Sequence, residues 1–139
     1  MLKSLSQGTA VLLGLLALAN GSYMLMAPAD WYVAIPGVTT TGPFNQHFLR
    51  DIGLIFLLVG IAFLTGAARQ PYRILAWGGA TLWLSGHALF HVWEVATGMH
   101  GSSDLVRDFP AVSLPAILGI LITCWAIADA RSRSTAAPM

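Results

Sequence analysis

The sequence predicts an all-α integral membrane four-helix bundle with cytoplasmic N- and C-termini, and three observations carry that prediction. The 139-residue chain is 56% hydrophobic and only 9% charged, with a mean hydropathy of +0.70, whereas soluble domains carry about 25% charged residues. Uncharged apolar stretches at 8–27, 52–68, 74–93 and 109–128 are long enough, at ~1.5 Å rise per residue, to cross a hydrocarbon core of about 30 Å. Basic residues divide unequally: Lys3, Arg69, Arg73, Arg131 and Arg133 flank one side, whereas Arg50 and Arg107 flank the other, which puts the termini inside.

The elements follow in order. The first span, 8–27, begins like a secretory signal, with Lys3, an apolar run and the small residues Ala17-Leu18-Ala19. Its apolar character continues through Tyr23-Met24-Leu25-Met26, so it reads as an uncleaved membrane helix. An unusually apolar outer loop, 28–46, carries Trp31, Tyr32, Val33, Ile35 and Phe44 between the turns Pro36-Gly37 and Gly42-Pro43. It is expected either to fold back as a lid, with Asn45 and Gln46 beside His47, or to lie in the interface as an amphipathic segment. Spans two and three, 48–68 and 74–97, are joined by the short 69–73 turn, which predicts an antiparallel hairpin centred near Pro71. The fourth span, 109–129, contains Pro115, which should kink it and free a carbonyl near Ala111.

Lipid leaves unpaired backbone groups costly, so helix is the conformation these stretches adopt, and the whole chain, 1–139, forms one domain. Small residues recur at sevens: Gly14 and Gly21; Gly53, Gly60 and Ala67; Gly79 and Gly86; Gly119 and Ala126. That spacing suits close helix contact in a left-handed bundle. The same seams suit membrane partners, whether a second copy of the chain or another subunit, besides the lipid bilayer itself. A net charge of +1 and the lack of any basic run argue against nucleic acid as a partner. The single Cys124 excludes an internal disulfide and Cys-rich metal motifs, and leaves an intermolecular bridge open.

Ionisable residues at membrane depth are expensive, and their default reading is functional. His87, His91 and Glu94 stand at i, i+4 and i+7 of the third span, on one helix face; His47 and Asp51 stand at i and i+4 where the second span opens. The hairpin places Asp51 and His91 at equal distance from Pro71, and His47 nearly level with Glu94. Two imidazoles and two carboxylates at nearly one depth, with His87 about a turn deeper, form a candidate site for zinc, copper or iron: His47, Asp51, His87, His91 and Glu94. If the site is catalytic, Asp51 or Glu94 is the expected proton acceptor. Three of the five also have a structural reading, His47 as an interfacial residue, Asp51 as a helix cap or a partner of Arg50 or Arg107, and Glu94 snorkelling to water, whereas His87 and His91 at membrane depth each need a partner for a ring nitrogen. Met24, Met26 and Met99 share the outer half with the histidines, a copper-like set that also suits plain packing.

The four-span layout with a polar cluster near one face resembles the small bacterial membrane proteins of the DoxX-like group. That resemblance implies a multi-pass protein of the bacterial inner membrane, the site facing the periplasm, and a link to membrane redox chemistry. Two other functions fit the same residues. One is a haem b or quinone protein, with His47 and His87 or His91 as ligands. The other is a structural or assembly subunit whose polar cluster is an internal network without a cofactor. The residues leave open whether the protein is an enzyme.

Overall fold

The computed structural model describes residues 1–136, which are helical with short turns and no strand. Six helices follow in order: α1 (Leu2–Met26), α2 (Pro28–Ala34), α3 (Gln46–Ala68), α4 (Arg73–Ala96), α5 (Ser102–Asp108) and α6 (Ser113–Ala136). Single 3-10 turns, Val38–Thr40 and Gln70–Tyr72, sit in the α2–α3 and α3–α4 connections. The four long helices pack in a ring in which α1 meets α3, α3 meets α4, α4 meets α6 and α6 returns to α1.

Three helices, α1, α3 and α6, are long and apolar enough to cross a membrane. The sequence predicts four such spans, and α4 is the one that falls short. At 24 residues α4 has the length, but Thr81, Ser85, His87 and His91 interrupt its apolar run.

Backbone proximity explains the tightest seam. A Cβ on Gly21 would lie 2.6 Å from the Gly53 carbonyl oxygen, and one on Gly60 would lie 2.8 Å from that of Gly14. Only hydrogen fits there, so α1 and α3 lie backbone to backbone, as seven-residue spacing of small residues requires. Gly119 likewise receives Thr81, whose hydroxyl pairs with Thr123 at 3.1 Å and links α4 to α6. The expected pattern fails on α4, where a Cβ on Gly79 or Gly86 would meet no atom within 4 Å.

Trp77 and Phe63 are fully buried at the centre of the core. The Trp77 indole N–H donates to the Phe63 carbonyl at 3.0 Å, and a Cβ on Gly66 would collide with the same ring. Arg73 is buried rather than flanking the bundle in solvent. Its Nε donates to the Gly66 carbonyl at 3.0 Å, and its guanidinium lies 5.2 Å and 5.8 Å from the rings of Trp77 and Trp125. Gly66 belongs to the last turn of α3, whose carbonyls lack intrahelical partners, so Arg73 supplies a donor and a favourable charge there.

Pro115 does not kink a span. Helix α6 starts at Ser113, which places Pro115 in the first turn, where a missing N–H costs no intrahelical bond. The outer loop is partly ordered by its aromatic residues. Trp31 donates to Asn20 at 2.8 Å, the Tyr32 hydroxyl donates to the Gly42 carbonyl at 2.6 Å, and Tyr32 packs on Phe44. The Asn45 side chain accepts from the Phe48 N–H at 3.1 Å; it caps α3 instead of serving His47.

Candidate functional site

The candidate site lies at the end of the bundle opposite the chain termini, where α4 stops and the chain doubles back. Thr97 ends α4, its hydroxyl donating to the Trp93 and Glu94 carbonyls at 2.9 and 3.1 Å. Gly98 follows at φ 76, a left-handed conformation that glycine adopts without a Cβ penalty. The N–H groups of Met99 and His100 then return to the Glu94 carbonyl at 2.9 and 3.4 Å. This turn brings His100 and the whole of α5 against the last turns of α4.

The result is a polar cleft lined by Thr41, His91, Glu94, His100, Asp104, Arg107 and Asp108, with Val95 and Leu105. Its volume is ≈ 10 Å³, room for one water-sized species. His91 Nδ1 lies 3.3 Å from Asp108 Oδ2. The His100 ring stands between two carboxylates, with Nδ1 3.2 Å from Asp104 Oδ2 and Nε2 3.8 Å from Glu94 Oε1. Arg107 closes the cluster, donating to Asp104 at 2.9 Å and to both oxygens of Asp108 at 2.7 and 3.0 Å. The Glu94 and Asp108 side chains are only 16% and 15% exposed, so the charges are sheltered without being sealed.

The electrostatics are unbalanced. Three carboxylates, Glu94, Asp104 and Asp108, face one guanidinium, so two negative charges are uncompensated when both imidazoles are neutral. Burial alone would raise the Asp108 carboxyl, but its hydrogen bond and charge contact with Arg107, helped by His91, outweigh that and hold it below the usual carboxylate range. The Arg107 guanidinium is held above its ordinary range, chiefly by its hydrogen bond to Asp108.

The five residues singled out in the sequence do not share this cleft. His91 and Glu94 line it. His87 lies next to it, its ring stacked on Trp83 and edge-on to both Phe56 and His91, the last at 4.9 Å between centroids. His47 and Asp51 pair with each other at 3.3 Å, with 89% and 55% of their side chains exposed, and neither lines the cleft. The physical reason is azimuth: positions two residues apart on a helix are about 200° apart, and Leu49 and Gly53 are the residues that α3 buries in its first turns. With His47 outside, the pairing of His47 with His87 or His91 across a haem finds no support in their placement. Among the described residues no three His, Cys, Asp or Glu side chains are arranged, as they stand, to hold one metal ion; the cluster is built of pairs.

Sequence reasoning missed Asp104, Asp108 and the part played by His100 and Arg107. A signal was present: His100, Asp104 and Asp108 are spaced by fours and Arg107 follows Asp104 by three, a helical spacing that puts Asp104, Arg107 and Asp108 on one side of a short helix with His100 just ahead of it. Compared with known proteins, the chain matches no protein-family model, no curated protein and no solved structure.

Proposed function

We propose that this is a multi-pass membrane protein of DoxX-like layout, with α4 as a fourth span, both termini cytoplasmic and the cleft open to the periplasmic side of a bacterial inner membrane. In this reading the cleft binds a divalent transition-metal ion, zinc, copper or iron, in a metal-handling or catalytic role linked to membrane redox chemistry. The carrying observation is the cleft's composition: two imidazoles and three carboxylates against one guanidinium around space for one water-sized species. Imidazole and carboxylate together suit these metals, and two unbalanced negative charges match one divalent cation. The ligand set is then His91, Glu94, His100, Asp104 and Asp108, in place of the set drawn from sequence. Binding requires the His–carboxylate pairs to open and turn toward a common ion. In a catalytic version the ligands reduce to His91, His100, Asp104 and Asp108, and Glu94, released from the set, accepts the proton.

The test is metal analysis of detergent-purified protein never exposed to chelator or a nickel column, beside His100→Ala and His91→Ala. A stoichiometric metal that falls away in both variants is expected. No metal in the purified protein, with no uptake of added zinc, copper or iron, would overturn the reading. A second reading, a structural subunit whose cluster only braces the fold, is favoured by one observation: every ionisable member of the cleft already has a partner within 4 Å. It predicts that the same variants lower thermal stability without any change in metal content.

A further inference from the structure

We propose that the outward face of α4 is where two copies of the chain meet, helix to helix, in a two-fold dimer. Leu75, Gly79, Leu82, Gly86, Leu89 and Trp93 follow one another at alternating spacings of four and three, the heptad pattern that keeps one stripe of a helix turned to a neighbour. That stripe lies opposite Trp77, Ala80 and Leu84, which α4 buries in the core. Its three leucines are 79%, 75% and 67% exposed, and a Cβ on Gly79 or Gly86 would meet no atom within 4 Å.

The same motif is occupied elsewhere in the molecule. Gly14, Leu18, Gly21 and Leu25 of α1 alternate at four and three, and so do Gly53, Leu57, Gly60 and Leu64 of α3. There each glycine receives a leucine from the other helix: Leu64 stands at Gly14, Leu57 at Gly21, Leu25 at Gly53 and Leu18 at Gly60. What the motif takes is thus a second helix of its own pattern, and α4 carries a third instance with no mate in the chain. Lipid contact does not account for it. The outward face of α3 presents Leu54, Leu58 and Ile61, and every glycine of α3 and α6 touches a neighbouring helix. Glycine is the poorest helix former after proline, so two of them in open space weaken α4 with no compensating contact inside one chain.

The flanks of the stripe fit two-fold symmetry, in which one flank of a helix meets the opposite flank of its mate. On the side towards α6 runs a groove of ≈ 280 Å³ lined by Gly78, Ser85 and Thr123 among others. On the other side Phe90 projects, half exposed and stacked on Trp93 at 5.6 Å between centroids. Copies inserted through α1, α3 and α6 share one orientation, so their α4 helices meet in parallel and each Leu82 enters between Gly79 and Gly86 of the partner subunit. In that register the partner's Phe90 faces Ser85 at the end of the groove. From Leu75 to Trp93 the stripe runs ~27 Å at ~1.5 Å rise per residue, close to the ~30 Å thickness of a hydrocarbon core, so the contact extends through the depth of the membrane.

The experiment measures association and cross-linking of the full chain. Sedimentation equilibrium in a density-matched detergent, at several protein-to-detergent ratios, is expected to give a monomer–dimer equilibrium, weakened by about tenfold or more in Gly86→Leu. The new side chain starts in space that its own chain leaves empty, so the unfolding midpoint of Gly86→Leu, in detergent dilute enough to part the copies, should match wild type. In membranes, Leu82→Cys in a Cys124→Ser background, which leaves one thiol per chain, is expected to give a disulfide-linked dimer on oxidation. Leu58→Cys, on the outward face of α3, is expected to give none. Wild type that stays monomeric at every ratio, a dimer indifferent to Gly86→Leu, or cross-linking through Leu58→Cys in place of Leu82→Cys overturns the proposal. Cross-linking of Leu82→Cys only to a different protein, with the purified chain monomeric, also overturns it and assigns the stripe to another subunit.

Discussion

His91 Nδ1 of α4 lies 3.3 Å from Oδ2 of Asp108 at the end of α5, while the same carboxylate takes two hydrogen bonds from Arg107. One carboxylate thus joins a helix of the bundle to a helix that has no buried residue of its own.

Acid should undo this junction in a defined window. Asp108 is held below the ordinary carboxylate range, so its contribution is complete above the unfolded value of about 4 and is lost as pH falls through the lower folded value. Asp108→Asn is expected to melt below wild type at pH 6–7 by about 1 kcal/mol or less, given the partial exposure of the pair. The difference should shrink as pH falls below about 4. Thermal melts followed by circular dichroism between pH 7 and pH 3 check this; a difference that grows in acid would contradict it.

Metal binding should separate the two groups of histidines. His100→Ala and Glu94→Gln remove groups that line the cleft, and each is expected to weaken zinc binding at least tenfold. His47→Ala and Asp51→Ala alter an exposed pair and should change neither zinc affinity nor stability beyond about 0.5 kcal/mol. Calorimetric titration of the four variants decides between this cleft and the His47/Asp51 arrangement.

The glycine seams should respond unequally. Gly21→Val drives methyl groups into the Gly53 carbonyl, and overpacking of this kind costs about 1–3 kcal/mol. Gly86→Ala meets open space and is expected to be neutral or to stabilise by up to ~1 kcal/mol through helix propensity. Unfolding midpoints in one detergent measure both.

The core should be sensitive at Trp77. Trp77→Ala empties a fully buried site and is expected to cost about 3–5 kcal/mol. Trp77→Phe keeps most of the ring and loses the hydrogen bond to Phe63, about 0.5–1.5 kcal/mol. The ratio of the two losses, from thermal or denaturant unfolding, tests whether packing rather than the hydrogen bond dominates there.

The sequence by itself determined the helical class, the α3–α4 hairpin around Pro71, and the seven-residue spacing of small residues that α1 and α3 use where they meet. Each of these follows from the period of one helix or the length of one turn. Only the tertiary structure decided which of the ionisable residues meet. His47 and Asp51 pair with each other in an exposed position, because α3 turns Leu49 and Gly53 inward and leaves residues two positions away on its far side. The carboxylates nearest His91 and His100, Asp108 and Asp104, come from α5, a helix too short and too exposed to announce itself by hydrophobic period. Pro115 reads as a mid-span kink until the start of α6 at Ser113 places it in a first turn. Periodicity sets position along an axis, whereas rotation about that axis is set by the packing of neighbouring helices, and a site shared between helices depends on the second.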